Sequence, residues 1–350
     1  MTASLSDILL HWYDRHARAL PWRNPPGAPV PNDPAWPYRV WLSEVMLQQT
    51  TVAAVKPYFA KFTETWPSVF DLAEAGEDEV MAAWAGLGYY SRARNLLKCA
   101  KVVAQRGGFP SAEAELRELP GLGAYAAASI AAIAFGERAV VVDANVERVT
   151  ARLFAIDEPL PGARKAIRQR VDEMTPTARA GDFAQGIMDL GSQICTSKAP
   201  KCLLCPLADH CAAREMGEPE RLPVKPPKKA KPERIGTAFW IERGAGGARE
   251  VWLVKRPGEG MLGGMRSLPD DGWSAREDGA GEAPIDGASE PLGAVRHTFT
   301  HAHLTLNVVR IRTDGSGLRS DGEWWPADQI ADSGLPTLYV KAVRLVLAQD

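Results

Sequence analysis

The stretch that most restricts how this chain can fold runs from Leu119 to Arg148, LPGLGAYAAASIAAIAFGERAVVVDANVER. Leu-Pro-Gly-Leu-Gly ends one helix and at once starts another. Gly121 and Gly123 carry no side chain, so backbone N–H groups at the new helix's N-terminus can approach an anion. No residue from Ala124 to Phe135 is charged, which assigns this helix to a core. Val140-Val141-Val142 then delivers an acid, Asp143, to the start of another helix. Taken alone, the stretch fits a plain buried helical hairpin as well as an anion-gripping one.

At 350 residues the chain is long enough for two or three domains with their own cores. Apolar residues Leu5, Ile8, Leu9 and Trp12 recur at helical spacing through Leu5–Arg18, with Ser4 or Ser6 as cap. A Pro-rich irregular segment covers Leu20–Pro37. Helical periodicity then predicts Val40–Val55, Lys56–Thr65, Val69–Ala75, Glu77–Ala85, Ser91–Arg106 and Ala112–Glu118. The first 215 residues read as all-helical. Leu222–Arg234 (LPVKPPKKAKPER) is dense in Pro and Lys and reads as an extended, solvated linker. Beyond it, strands are predicted at Gly236–Glu242, Glu250–Lys255 and Leu304–Arg312, and helices at Pro326–Ala331 and Leu338–Leu347. Gly272–Ala288, poor in bulky apolar residues, is predicted to be a mobile loop.

A formal charge of −2 gives no global signature of a nucleic-acid binder. Charge is uneven, however: Met81–Ala112 holds Arg92, Arg94, Lys98, Lys101 and Arg106 and no acid, so a local face would have to carry such binding. The N-terminus lacks a long apolar core and no stretch is long enough to span a bilayer, which leads to the expectation of a cytoplasmic protein that is not secreted, nucleoid-associated only if it binds DNA. Of five cysteines, Cys99 stands apart on a helix as a core thiol. The other four, Cys195, Cys202, Cys205 and Cys211, form C-x6-C-x2-C-x5-C, a metal-ligating pattern more than a disulfide framework. Four thiolates suit zinc or an iron–sulfur cluster, and zinc ribbons usually show two close pairs where this chain has one.

Trp41-Leu-Ser-Glu-Val-Met-Leu-Gln-Gln-Thr50 sets Glu44 among apolar neighbours, which raises a carboxyl's pKa and favours a neutral proton donor. Gln48, four residues on, shares its helix face. The string WLSEVMLQQT resembles the helix that identifies MutY-type adenine DNA glycosylases, members of the helix-hairpin-helix (endonuclease III) superfamily. Other stretches resemble the same family. Arg18-Ala-Leu-Pro-Trp-Arg23 looks like the segment lining its adenine pocket, making Arg18, Leu20, Trp22 and Arg23 candidate contacts, and Val52 and Gln185 match further pocket positions. Gly86-Leu-Gly-Tyr-Tyr90 resembles the turn whose first Tyr, Tyr89, wedges into the duplex. Gln49 matches a second intercalating residue, with Gln48 beside it as a DNA contact. The cysteine spacing is that of the superfamily's [4Fe-4S] cluster, whose loop would set Lys198 and Lys201 on phosphate.

The resemblance implies a multidomain protein: an all-α helix-hairpin-helix glycosylase domain at 1–221 (hairpin 119–123, iron–sulfur loop 195–211), a linker at 222–234, and an α+β Nudix-like domain at 235–350. It implies excision of adenine opposite 8-oxoguanine or guanine in duplex DNA by a monomer. Extruding the base costs roughly a few kcal/mol. Glu44 would protonate adenine at N7, and Asp143 would stay ionised, stabilise the sugar cation and bond to it transiently. Tyr125 and Asn145 would orient the two acids. Bifunctional relatives carry a Lys where this chain has Tyr125. A phenol cannot form a Schiff base, so the activity would be monofunctional. Asp143-Ala-Asn145 departs from the family's Asp-Gly-Asn by one alanine. Phe299-Thr300-His301 resembles the loop that senses 8-oxoguanine, Phe-Ser-His, with Thr for Ser. His297, His301 and His303 could share one face of a strand, but no acid or Cys joins them. Lys255-Arg-Pro and Gly263-Gly-Met-Arg-Ser-Leu-Pro269 look Nudix-like, while the Glu-rich helix that binds metal in Nudix hydrolases is absent, so pyrophosphohydrolase activity is not expected. The alternatives are another mismatch-specific glycosylase of the superfamily, for instance one removing thymine, and a lesion-binding protein without catalysis.

Overall fold

A computed structural model describes residues 4–227, 230–258 and 260–349. The described helices are α1 (Leu5–His16), α2 (Trp36–Leu47), α3 (Val52–Thr65), α4 (Val69–Glu74), α5 (Glu77–Trp84), α6 (Ser91–Arg106), α7 (Glu113–Leu116), α8 (Ala124–Phe135), α9 (Ala144–Leu153), α10 (Arg164–Met174), α11 (Ala180–Gln193) and α12 (Ala212–Glu215). Every described regular element before Glu233 is helical. The chain divides into two compact units, Met1–Ala75 with Asn95–Lys228 and Gly76–Arg94 with Lys229–Asp350.

In the first unit, Ser4 caps α1. Its Oγ accepts from the Asp7 amide at 3.1 Å while the Asp7 carboxylate takes the Ser4 amide at 3.2 Å, a reciprocal box that satisfies two otherwise unpaired donors. The helix break expected at Val55/Lys56 falls earlier. Gln49 turns left-handed (φ 59°) after α2, Thr51 accepts from the Ala54 amide at 3.3 Å to start α3, and Pro57 is accommodated inside that helix. A capped start outweighs the missing N–H of one proline. The core gathers Leu9 and Tyr13 of α1, Val146 and Val149 of α9, and Phe183, Ile187 and Leu190 of α11. Cys99 is fully buried, and burial pushes its thiol up to about 12.

The Pro- and Lys-rich segment starts tied to this unit. Leu222 is buried, its carbonyl accepts from Arg152 Nε at 2.9 Å, and the Val224 carbonyl accepts from the Leu160 amide at 2.9 Å. Lys228 and Lys229 lie outside the described residues.

The second unit contains a sheet of β1 (Glu233–Arg243), β2 (Glu250–Lys255), β3 (Arg266–Ser267), β4 (Ser289–Thr298), β5 (His303–Arg312) and β6 (Glu323–Pro326), followed by α13 (Thr337–Leu347). Strand order is β3-β2-β1-β5-β4, with β6 on β2; β1 and β5 run parallel and the other pairs antiparallel. β4 escapes the sequence pattern because it is a largely exposed edge strand with a register shift at Pro291/Gly293, the kind of position a sheet allows proline. The helix expected at Pro326–Ala331 is a 3₁₀ segment, Ala327–Ser333.

Gly272–Ala288 is not the free loop that its composition suggests. Trp273 is 1% exposed and lies against Gly236, where a Cβ would sit 2.6 Å from its ring. The Gly279 amide donates to the Ile235 carbonyl at 2.8 Å, Asp278 accepts the Ile235 amide at 3.0 Å, and Ile285 is buried with Phe239, Ile241 and Ile311. Two well-placed apolar side chains anchor a stretch that is otherwise polar. Trp273→Ala is expected to destabilise this unit by about 3–5 kcal/mol and to open the segment to proteolysis. Chemical denaturation and limited digestion check both.

Candidate active site

Glu44 sits in the third turn of α2 and is 7% exposed. Its pKa is raised: burial dominates, the hydroxyls of Tyr125 and Ser129 and the charge of Arg23 oppose it, and the Asp143 charge reinforces it. Neither hydroxyl closes a good hydrogen bond on the carboxyl. Tyr125 donates instead to Met188 Sδ at 3.5 Å, and Ser129 Oγ is buried without a partner. The Tyr125 phenol is pushed well up, first by burial and then by both acids, and remains protonated.

Asp143 caps α9, accepting from the Val146 amide at 2.7 Å and from Asn145 Nδ2 at 2.8 Å. These donors favour its charged form, yet burial outweighs them and its pKa is also raised. The two acids are therefore separated by their donors more than by burial. Asp143 has two good N–H partners, whereas Glu44 has none of comparable geometry.

Behind Asp143 runs a line of contacts that sequence reasoning missed. Arg148 donates to Asn145 Oδ1 at 2.8 Å, to the Gly191 carbonyl at 2.7 Å and to the Cys195 carbonyl at 2.7 Å. Arg152, fully buried, reaches the carbonyls of Thr196 and Ser197 and lies 3.3 Å from Cys195 Sγ. The two arginines are four apart in VERVTAR, a spacing that sets both on one helix face and could have exposed them. Gly191 permits this approach, because a Cβ there would stand 2.7 Å from Asn145 Cβ.

At the hairpin, Gly121 has φ +79° and a Cβ would stand 2.8 Å from Asn95 Cβ, so glycine is required twice over. Gly123 is the N-cap of α8 with open space around it and no side-chain cap, leaving N–H groups at the helix start free of a capping side chain. Tyr89 and Gln49, the two candidate intercalating residues, both have positive φ, 49° and 59°, and both side chains are exposed. A left-handed backbone in non-glycine residues costs of order 1 kcal/mol each and clusters at functional positions. Gln48, half-buried, ends α2.

Of the candidate pocket residues, Arg18, Leu20 and Arg23 line one surface cleft with Asn24 and Lys56. Trp22 is buried edge-on against Phe59 at 5.0 Å, Val52 is half-buried at the start of α3, and Gln185 is buried with Nε2 on the Gly181 carbonyl at 3.3 Å. These three are absent from the lining of that cleft. Both arginines bind Asp189, a residue sequence reasoning passed over although it is the only charge between Phe183 and Gln193.

Cys195, Cys202, Cys205 and Cys211 line one small cavity together with Arg152 and Arg214. None of the four is in a disulfide, and burial, opposed by the Leu207 amide, pushes Cys205 up to about 11. Among the described residues no group of three or more His, Cys, Asp or Glu stands closely enough to hold a metal ion. Four thiols on one cavity are nonetheless a donor set of the kind that holds zinc or an iron–sulfur centre. Lys198 and Lys201 are exposed on its first loop.

In the second unit Phe299-Thr300-His301 forms the turn between β4 and β5, closed by the Phe299 amide on the Ala302 carbonyl at 2.8 Å. Phe299 packs on Trp273 and His297, and Thr300 Oγ1 lies 3.0 Å from the Tyr89 hydroxyl. The turn separates the three histidines. His297 is on β4, His303 on β5 and His301 between them, so they do not form one strand face. No described helix is long and apolar enough to cross a membrane.

A helix start free of a capping side chain lies beside one buried acid, Glu44, and one half-buried acid, Asp143, the arrangement of a base-excision glycosylase site on a helix-hairpin-helix scaffold. Residues 42–174 match the family of HhH-GPD superfamily base excision DNA repair proteins, and residues 237–345 match the NUDIX domain family. Human adenine DNA glycosylase is 35% identical over 406 aligned residues, covering 98% of this chain and 74% of that protein. The adenine DNA glycosylase of Buchnera aphidicola (subsp. Schizaphis graminum) is 30% identical, covering 97% and 98%. Among solved structures, a thermostable thymine-DNA glycosylase matches 60% of this chain and 95% of its own at TM-score 0.54 and 29% identity. The chain belongs to the adenine DNA glycosylases, enzymes of base excision repair.

Gly191→Leu is expected to drive Asn145 off the Asp143 carboxylate. Single-turnover adenine excision should fall by about 10- to 100-fold, with DNA affinity nearly unchanged in a gel-shift titration.

Proposed function

We propose that this enzyme hydrolyses the N-glycosidic bond of adenine mispaired with 8-oxoguanine or guanine in duplex DNA, as a monomer and without lyase activity. The observation that carries the reading is the divided acid pair: Glu44 sealed without good donors, Asp143 held by two. Neutral Glu44 donates its proton to adenine N7, so the base departs uncharged. Asp143, ionised once a substrate is bound, faces the positive charge left on the deoxyribose and forms a transient bond to its anomeric carbon. A water deprotonated by Glu44 then displaces the carboxylate, completing a retaining-glycosidase-like cycle. Tyr125, neutral and half-buried beside both acids, offers no amine to the sugar. The hairpin amides beyond Gly121 and Gly123, with Lys198 and Lys201, take the backbone phosphates, while Tyr89 and Gln49 fill the space left by the extruded base. Arg18, Leu20, Trp22, Arg23, Val52 and Gln185 surround the base.

Cys195, Cys202, Cys205 and Cys211 would hold a [4Fe-4S] cluster, whose bound form supplies a cross-link fixing the loop that carries Lys198 and Lys201. The common cavity of the four thiols supports this assignment. Phe299, Thr300 and His301 sense the partner base from the β4–β5 turn, and the domain boundaries 1–221, 222–234 and 235–350 separate that task from excision.

The acid pair gives the pH dependence a sign. Excision requires protonated Glu44, so the rate is full below its raised pKa and is lost as pH rises through it; Asp143 must be ionised, so the rate also falls in acid. The single-turnover profile is expected to be a bell whose two limbs belong to the pair. Glu44→Gln should cost about 10²–10⁴-fold and remove the alkaline limb, and borohydride should trap no enzyme–DNA adduct with the unsubstituted enzyme. Near-normal excision by the variant would overturn the assignment. For partner choice, rates on adenine opposite 8-oxoguanine, guanine, cytosine and thymine are the measure. Thr300→Ala with His301→Ala should lose roughly 10-fold on 8-oxoguanine, the scale of one or two hydrogen bonds, and little on guanine. An equal loss on both would remove the sensing role.

A further inference from the structure

Asp189, in the third turn of α11, has a side chain with no solvent exposure. Its Oδ1 accepts from Arg18 Nε at 2.7 Å and Arg23 Nη2 at 2.9 Å, and its Oδ2 accepts from Arg23 Nη1 at 2.6 Å and the Arg18 amide at 3.3 Å. Arg18 Nη2 also stands 2.6 Å from Oδ1. One carboxylate thus fills essentially all of its lone-pair sites with two guanidinium groups and one backbone N–H. The Arg23 side chain is 8% exposed and that of Arg18 is 30% exposed.

A fold gains little from such an arrangement. Buried ion pairs are costly to desolvate, and apolar side chains of similar volume often stabilise as well or better. What the carboxylate does provide is geometry. It grips Arg23 with a two-pronged fork and Arg18 through both side chain and backbone, while N–H donors of each guanidinium not used on Asp189 remain for the cleft that both line. It also offsets the charge of Arg23, the guanidinium that acts on the proton donor.

We propose that Asp189 is the positioning residue of the base pocket, fixing Arg18 and Arg23 as a pre-formed fan of donors and offsetting the charge that Arg23 imposes on Glu44. The inference rests on the reading that these arginines line the adenine pocket. The groups facing Glu44 are Tyr125 and Ser129 of α8, Asp143 at the start of α9, and Arg23. Those facing Asp189 are Arg18, Arg23 and Tyr13, whose hydroxyl is buried without a partner. Arg23 favours the ionised form of Glu44, whereas a protein needing neutral Glu44 gains from a countercharge at Asp189. Burial would raise the Asp189 pKa, but its bonds and proximity to Arg23 and Arg18 bring it below the ordinary value, so it supplies that charge throughout the working range.

The test is the alkaline limb of the single-turnover excision profile, read for Asp189→Asn and Arg18→Gln in the full-length enzyme. Asp189→Asn leaves both guanidiniums uncompensated, so the limb moves to lower pH, by roughly half to one pH unit for one charge at this range in a protein-like dielectric. The plateau rate also falls about 10-fold as the fan loosens. Arg18→Gln removes a positive charge and moves the limb to higher pH. Displacements of opposite sign cannot arise from a merely structural role, which changes rate and melting temperature and leaves the limb in place. An unmoved limb in Asp189→Asn overturns the proposal. If that variant does not fold, an unmoved limb in Arg18→Gln does so alone. Failure of the pocket reading has a different signature: Arg18→Gln and Arg23→Gln then excise adenine and purine analogues with unaltered relative rates.

Discussion

Because α8 carries methyl-sized side chains over most of its length, α2 and α11 pack directly against its backbone. A Cβ on Gly181 of α11 would fall 2.5 Å from the Ala132 carbonyl oxygen. The rest of the site follows from that closeness. The N-terminus of α8 emerges from the hairpin with amides that no side chain caps, its first turns bring Tyr125 and Ser129 to the buried carboxyl of Glu44 on α2, and α11 brings Asp189 and Gly191 to bear on the arginines and on Asn145. A bulkier helix would separate these groups and admit water, and burial is the dominant cause of the raised Glu44 pKa.

The two acids share one environment and differ in their hydrogen-bond donors. Both are pushed up by burial, so burial alone cannot assign roles. What differs is hydrogen bonding, on which the proposed roles rest: Asp143, as a helix N-cap, receives a backbone amide and an amide side chain, while Glu44, mid-helix, has its own backbone donors committed to α2. The Asn145 that supports Asp143 is itself held by Arg148, which spans to the cysteine loop. The cysteine loop and the acid thus belong to one connected polar network, with Arg152 closing the carbonyls of residues 195–197 from the core side.

Much of this was legible in the chain. Glu44 among Val45, Met46 and Leu47 announced a desolvated acid, and the burial of α8 followed from an uncharged Ala-rich run. The Gly121 turn proved to need its glycine for both backbone angle and the approach of Asn95. Other features were misread for physical reasons. Composition reads Gly272–Ala288 as mobile, but the buried Trp273 and Ile285, with hydrogen bonds to Ile235, pin it across the sheet. The alternating histidines looked like one strand face, but the chain reverses between them to pair β4 with β5.

The sequence by itself determined the class of chemistry, because the motifs that carry the family resemblance are local and need no long-range information: the acid in its apolar helix, the glycine turn, the tyrosine where bifunctional relatives carry a lysine, and the four thiols. Tertiary structure alone decided how the charges are compensated. Asp189 lies 166 residues from Arg23 and 171 from Arg18, and no periodicity connects them. Only the packing of α11 beside the chain that follows α1 places one buried carboxylate between two guanidinium groups, and buried charges depend on such partners because no water is there to replace them.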